Sequence, residues 1–167
     1  MMKHTISVLV ENHAGVLSKV AGLFSRRGFN IDSLAVGETE NPDISRITIV
    51  ATGNDYTIEQ IEKQLNKVIP VIKVKTLAEG DYISRMLTMF KVRFTSPHRG
   101  DIMKIAEIMG ARIIDVTSSS ITLEFTDTEE RTFTLEQLLK PFGIKEVVRT
   151  GAIAIEKGNK VVREKTN

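Results

Sequence analysis

The sequence predicts an α+β fold made of two tandem ferredoxin-like domains, each with the element order strand, helix, strand, strand, helix, strand (βαββαβ). Three observations support this prediction. Short segments in which apolar and polar residues alternate are separated by segments whose apolar residues recur at helical spacing. The series is completed within about half of the chain and then restarts. The 167 residues suffice for one ordinary domain or two small ones.

The chain begins with a predicted strand and helix. Ile6 and Val8 alternate with polar neighbours, which is the pattern of a half-buried strand. A short loop, residues 11–15, leads into a segment in which apolar residues from Leu17 to Phe24 share one helical face. Gly28 follows where a helix commonly ends in the left-handed conformation. The first helix is therefore predicted between the loop and Gly28.

The rest of the first half contains a predicted hairpin, a second helix and a fourth strand. Turn residues 41–43 separate the two strands of the hairpin. Thr57 and Gln60 are predicted to form a capping box at the start of the second helix, which ends before Pro70. The three strands are predicted at residues 31–39, 46–52 and 71–77.

The second half repeats this order of elements. Its segment 100–106 is similar to segment 15–21, which pairs Gly100 with Gly15 as the start of a helix. Because 13 positions separate Gly15 from Gly28 but only 10 separate Gly100 from Gly110, the first helix is predicted to be about one turn longer. Strands are predicted at residues 86–95, 112–117, 121–126 and 144–149, and helices at 101–109 and 135–140.

The predicted domain boundaries follow from this repeat. Residues 1–78 form the first domain, 79–84 a linker and 85–156 the second domain. Residues 157–167 are polar and are expected to form a frayed tail.

Composition excludes several classes of function. The chain has no Cys, which removes disulfides, thiolate nucleophiles and zinc sites on sulfur. Its three His residues are scattered, so no metal site is expected. A formal net charge of +2 is too small for nucleic-acid binding to follow from composition. Since no apolar stretch suits a membrane span or a signal peptide, we expect a cytoplasmic protein without membrane contact.

The loop before the first helix is a candidate binding site. The backbone amides of a first helical turn lack partners within the helix and attract a carboxylate or phosphate. Gly15 allows close approach of the backbone, and Asn12 can donate and accept hydrogen bonds, so the loop suits a zwitterion. The residues leave a second interpretation open, in which Asn12 and Gly15 form only a cap and a turn. Asn30, at the start of the second strand, has the same two interpretations.

Five blocks of the chain together resemble a known family. The blocks are ENHAGVL at residues 11–17, GLFSRRGFNIDSL at 22–34, SRITI at 45–49, QIEKQL at 60–65 and IIDVT at 113–117. They are similar to the small regulatory subunits of acetolactate synthase, and the resemblance extends over nearly the whole chain. A generic ACT domain would share only Asn12, Gly15 and Leu17 with this sequence.

The resemblance implies an amino-terminal ACT domain, a carboxy-terminal ferredoxin-like domain and a homodimer formed through the ACT domain. A branched-chain amino acid, with valine the first choice, would bind where two chains meet. Catalysis in branched-chain amino-acid biosynthesis, with thiamine diphosphate, Mg²⁺ and FAD, would lie in a separate large subunit that this chain activates and makes sensitive to feedback inhibition. The chain itself would have no catalytic residue, metal or cofactor. The effector-binding residues implied are Asn12, Ala14, Gly15, Val16, Leu17, Asn30 and Ile31.

Other functions remain as alternatives. A freestanding amino-acid sensor acting on another enzyme or on transcription would keep the loop but lack contacts to the large subunit. An RNA-binding module shares the topology, but strands 46–52 and 121–126 lack the stacking aromatic residues that it needs. An independent enzyme is disfavoured, because no carboxylate is paired with a nucleophile or base in a recognisable motif. His98 and Arg99 are interpreted as turn residues, with a vestigial anion site at Arg99 as the second interpretation.

Overall fold

The computed structural model describes residues 1–163, which form two units. The first unit comprises Met1–Ile83 together with the segment from Gly151 onwards, and the second comprises Ser84–Thr150. Each unit contains the predicted order βαββαβ, and a further strand lies in the segment after Gly151. The predicted α+β fold class is therefore confirmed.

The sheet of the first unit has the strand order β2-β3-β1-β4. Ile6 and Val8 of β1 are fully buried in one cluster with Val20 of the first helix and Ile61 of the second. Because successive strand residues point to opposite faces, Thr5, Ser7 and Leu9 lie on the other face of the sheet. The elements are β1 (Met2–Glu11), α1 (Val16–Arg26), β2 (Ile31–Glu38), β3 (Ile44–Gly53), α2 (Asp55–Leu65) and β4 (Val71–Leu77).

Helix α2 begins earlier than predicted. Asn54 is its N-cap, and the Asn54 side chain accepts a hydrogen bond of 2.8 Å from the backbone N–H of Thr57. The hydroxyl of Thr57 also donates to Asn54, at 2.8 Å. The predicted capping box of Thr57 and Gln60 is therefore wrong, since Thr57 lies within the first turn and donates to the cap instead of providing it.

The sheet of the second unit has the strand order β6-β7-β5-β8, and Phe90, Leu123 and Leu135 are among the fully buried residues of its core. Strand β5 starts at Tyr82, inside the predicted linker 79–84. The elements are β5 (Tyr82–Arg93), α3 (Arg99–Met109), β6 (Arg112–Val116), β7 (Ser120–Asp127), α4 (Glu129–Leu139) and β8 (Ile144–Arg149).

Both helices of the second unit differ from prediction at their starts. Helix α3 begins at Arg99, so that Gly100 lies inside it, and α3 has 11 residues, as α1 does. The predicted one-turn difference is therefore wrong. Helix α4 begins at Glu129 behind the N-cap Thr128, well before residue 135. Its first turn is polar, and a prediction based on apolar spacing does not detect such a turn.

The segment after β8 forms an element that the sequence did not predict. Residues Ile153–Glu156 form strand β9, which pairs with β5. The predicted second domain, residues 85–156, includes this strand, whereas in the structure the segment from Gly151 packs with the first unit. Two lysines of the predicted frayed tail are also held there: Lys157 donates to Gly80 O at 2.8 Å, and Lys160 lies 3.1 Å from Asp81. Tail residues 164–167 lie outside the described residues.

Candidate ligand-binding site

The loop between β1 and α1 has the conformation that an exposed helix start requires. Gly15 is the N-cap of α1, with φ 86°, and no side chain caps the helix. A Cβ at Gly15 would meet no atom within 4 Å, so the positive φ, and not crowding, favours glycine here. The amides of the first turn face the loop without partners inside the helix. This end of α1 therefore suits a carboxylate.

Asn12 is anchored to the turn between β2 and β3. Its Nδ2 donates to Pro42 O at 2.8 Å and to Glu38 Oε1 at 3.1 Å, and its backbone N–H donates to Asp43 O at 2.8 Å. With the amide nitrogen donating twice, Oδ1 is the side-chain atom that can accept from a ligand ammonium group. Asn12 thus holds the loop in place and presents an acceptor.

His13 gives the loop a charged pair. Its Nε2 lies 2.9 Å from Glu11 Oε2, and its Nδ1 lies 3.2 Å from Ala14 O. The hydrogen bond to Glu11 and then the one to the Ala14 carbonyl raise the pKa of His13 above its usual value. Both ring nitrogens donate in this arrangement, so it favours the protonated imidazole.

The apolar residues of the predicted site divide into two groups. Val16 is 3% exposed and belongs to the core of the unit, so its side chain is not available to a ligand. Leu17 is 43% exposed beside it, and Ala14 is exposed in the loop. Ile31 is half-buried against the same core. Leu17 and Ile31 are therefore the apolar side chains that a ligand could contact.

Asn30 sits at a bulge at the start of β2. The pairing register with β3 shifts between Ile31 and Ser33, which leaves Asp32 as the extra residue. Asp32 accepts from Asn30 Nδ2 at 3.0 Å and from the Thr52 hydroxyl. These partners fix the conformation from which β2 starts.

Within one chain, the structure does not bring Asn30 and Asn12 together. Asn12 contacts Glu38, the last residue of β2, whereas Asn30 precedes Ile31, the first. The eight residues of β2 span roughly 25 Å at the rise of an extended strand. Strand β2 is also an edge strand of its sheet. Antiparallel pairing of β2 with β2 of a second copy would place the start of one strand at the end of the other.

The second unit lacks an equivalent loop. Helix α3 follows a 3₁₀ turn, residues Ser96–His98, and Gly100 has no positive φ. Arg99 lies over the Phe94 ring at 5.1 Å and donates to Ser118 O at 2.6 Å. Arg99 is thus the first residue of α3 and not a turn residue, and its side chain is held by contacts within the unit.

The sequence analysis did not identify the residues that hydrogen-bond to the predicted site residues Asn12 and Asn30. Glu38 and Pro42 follow Asn12 by 26 and 30 positions, and no local motif connects them. Asp32 was detectable as the acidic residue two positions after Asn30.

Among residues 1–163, the structure contains no cluster of acidic or His side chains able to hold a metal ion. Nor does this part of the chain contain a helix long and apolar enough to cross a membrane.

Comparison with known proteins gives consistent matches. A family model described as an AHAS small subunit-like ACT domain matches residues 6–73, and one described as the small subunit of acetolactate synthase matches residues 85–158. The chain is 49% identical over 159 residues to the "Probable acetolactate synthase small subunit" of Archaeoglobus fulgidus, covering 95% of this chain and 99% of that one. Identity to the acetolactate synthase small subunit of Mycolicibacterium smegmatis is 47%, covering 93% and 91%.

A solved structure matches as well. The crystal structure of the acetolactate synthase small subunit from Thermotoga maritima superposes with a TM-score of 0.90 and 39% sequence identity. The match covers 96% of this chain and all of that chain.

Proposed function

This chain belongs to the family of acetolactate synthase small subunits, and on that premise we propose that it regulates a separate catalytic large subunit in response to a branched-chain amino acid. The chain activates the large subunit, and the amino acid, valine in the first instance, reverses the activation. Thiamine diphosphate, Mg²⁺ and FAD act in the large subunit, while this chain contributes binding and coupling only.

The observation that supports this proposal is the placement of Asn12 and Asn30 at opposite ends of β2. A ligand that contacts both must lie between two copies of the chain. Pairing of the β2 edges in a homodimer would bring Asn30 of one copy to the Asn12 loop of the other. Ligand binding and dimer geometry then depend on each other, which allows a regulatory switch.

The residues have complementary roles towards an amino acid. The amides after Gly15 receive the carboxylate, because a helix N-terminus carries partial positive charge. Oδ1 of Asn12 and of the second copy's Asn30 accept from the ammonium group. Leu17 of one chain and Ile31 of the other border the aliphatic side chain.

The test is reconstitution with a matched large subunit. Acetolactate formation is measured with and without this chain across a valine series, and valine binding is measured by calorimetry. We expect stimulation that valine reverses, and Asn12→Ala should weaken both the binding and the reversal.

Asn66→Ala is the matched control, since Asn66 is an exposed asparagine at the C-cap of α2 and should leave both readouts unchanged. Unaltered valine response in Asn12→Ala would contradict the proposed site. Valine binding without any effect on the large subunit would instead favour the freestanding sensor.

A further inference from the structure

The face of the first sheet opposite α1 and α2 combines polar side chains with the buried apolar residues Leu9, Val50 and Leu77. Ser7 of β1 pairs with Thr48 of β3 on one side and with Lys75 of β4 on the other, so the three side chains form a row across this face. Arg46 lies two residues before Thr48 in β3, on the same face and opposite Leu9. Ser7 and Thr48 are nevertheless buried. Part of the chain outside the sheet must therefore cover them.

The cover is the segment Gly151–Lys160, which we name the C-terminal strap. Ala154 and Glu156 are each 8% exposed, whereas Ile153 and Ile155 are 59% and 60% exposed, so the alternate side chains of β9 face the sheet. Arg46 donates to Ala154 O at 3.0 Å. Lys75 Nζ lies 2.7 Å from Glu156 Oε1. Strand β9 thus places Ala154 and Glu156 against the sheet and leaves Ile153 and Ile155 exposed.

Polar side-chain contacts add to the pairing of β9 with β5 in holding the strap. Two cations, Arg46 and Lys75, face the single carboxylate of Glu156, and burial lowers the pKa of Arg46 while Glu156 opposes that shift. Within the described residues, Ser7 Oγ, Arg46 Nε and Glu156 Oε2 are buried without a hydrogen-bond partner. Burying polar atoms without full partners costs free energy, and Ala154 adds little apolar burial. These unpartnered atoms therefore weaken the docking of the strap.

The strap is also fixed to β2, the strand of the proposed effector site. The backbone N–H of Ala152 donates to Ser33 Oγ at 2.9 Å. Gly151 approaches the backbone of Leu34 so closely that a Cβ at this position would overlap the Leu34 carbonyl. No residue larger than glycine fits at position 151 while the strap is docked.

A continuous set of contacts joins the strap to Asn30. Asn30 holds Asp32 at 3.0 Å, Asp32 is the extra residue of the bulge, and Ser33 follows it directly. A ligand that fixes Asn30 therefore also fixes the bulge from which Ser33 and Leu34 are positioned.

From these contacts we propose that the C-terminal strap transmits the effect of ligand binding. An effector bound at Asn30 and Ile31 stabilises the docked strap. The connection runs through Asp32, Ser33 and Gly151. The inference rests on the proposed function, since it presumes an effector at β2. The strap follows β8 directly in the chain, so docking it restrains the segment that leads out of the second unit. By linkage, release of the strap must weaken effector binding by the same factor as the effector favours docking.

Hydrogen exchange of the backbone amides of residues 152–157 in the full chain measures docking, and calorimetry with valine measures binding. Valine should slow this exchange at least about 5-fold, the lower end of ordinary allosteric coupling. Gly151→Ala should speed the exchange and weaken valine binding by a similar factor. Glu156→Gln, which keeps the shape but removes the counter-charge, should do the same. Ile155→Thr, on the outer side of β9, is the matched control and should change neither.

The outcomes separate the two proposals. If valine binds but leaves the exchange of residues 152–157 unchanged, the coupling is refuted while the binding site stands. If both variants release the strap and valine affinity is unchanged, the coupling is refuted as well. If the native chain does not bind valine, the proposed function fails, and the coupling fails with it. Melting curves of each variant establish that the unit remains folded.

Discussion

Two glycines that the sequence pairs as equivalent should respond in opposite ways to alanine. Gly15 has φ 86°, and its missing Cβ would meet nothing within 4 Å. The cost of Gly15→Ala is therefore conformational alone, about 1–2 kcal/mol for an L-residue in the left-handed region. Gly100 lies inside α3 without a positive φ, and its Cβ would also have open space. Gly100→Ala should stabilise by roughly 0.5–1 kcal/mol, because it restricts the unfolded chain.

The assay is thermal and urea unfolding of the two variants beside the native chain. In a unit of this size, 1 kcal/mol corresponds to a shift in Tm of about 4–8 °C. Gly15→Ala should melt lower by at least that amount and Gly100→Ala should melt higher. Because each change lies in a different unit, fluorescence or exchange probes specific to each unit should assign the transition that moves. If Gly15→Ala stabilises the protein, the positive φ of Gly15 in the loop between β1 and α1 is refuted. If Gly100→Ala destabilises it, the position of Gly100 inside α3 is refuted.

Three further predictions concern the first unit. Ile61→Ala should lower the free energy of unfolding by about 2–5 kcal/mol in urea denaturation, because Ile61 is fully buried between α2 and the sheet. Asn54→Ala should cost about 0.5–2 kcal/mol in the same assay, whereas Gln60→Ala should be nearly neutral, which distinguishes the observed cap from a capping box. NMR titration of His13 should give a pKa above 6.5 that falls in Glu11→Gln. Since the folded pKa is the higher one, the stabilising effect of this pair is present at low pH and disappears as the pH rises through that pKa.

The order and type of the elements were predictable because each depends on local patterns. The predicted bounds of β4 and β8, residues 71–77 and 144–149, agree with the structure to the residue. Both strands begin within three residues after a proline, and both are rich in β-branched and charged residues. The spacing of apolar residues does not predict where a helix starts when its first residues are polar, as after the N-caps Asn54 and Thr128. Capping depends on hydrogen bonds, which the spacing of apolar residues does not reveal.

The residue-by-residue match between the two halves is displaced by one position. The buried residues of α1 and α3 correspond as Val16 with Ile102 and Val20 with Ala106, whereas the sequence aligns Gly15 with Gly100. Similar sequence between two amphipathic helices therefore reflects a shared apolar face rather than equivalent glycines. Only the structure shows that one glycine precedes its helix and the other lies within it.

Strand β9 shows why the remaining part was not predictable. Its sequence, Ile-Ala-Ile-Glu, alternates large apolar residues with small or charged ones, and this pattern predicts that the isoleucines are buried. The opposite face is buried, because Arg46 and Lys75 lie on the sheet beneath it and provide partners for Ala154 O and Glu156. These partners are 108 and 81 positions away in sequence, so hydropathy alone assigns the wrong face.

The two units also show that topology alone does not determine a binding site. Both units have the same order of strands and helices, and both first helices have 11 residues. In the first unit, the N-cap Gly15 leaves the start of α1 without a side-chain cap, and Asn12 hydrogen-bonds to the turn between β2 and β3. In the second unit, a 3₁₀ turn and Arg99 fill the corresponding junction. Only the first unit therefore has the loop geometry on which the proposed amino-acid site depends, and we expect any role of the second unit to use another surface.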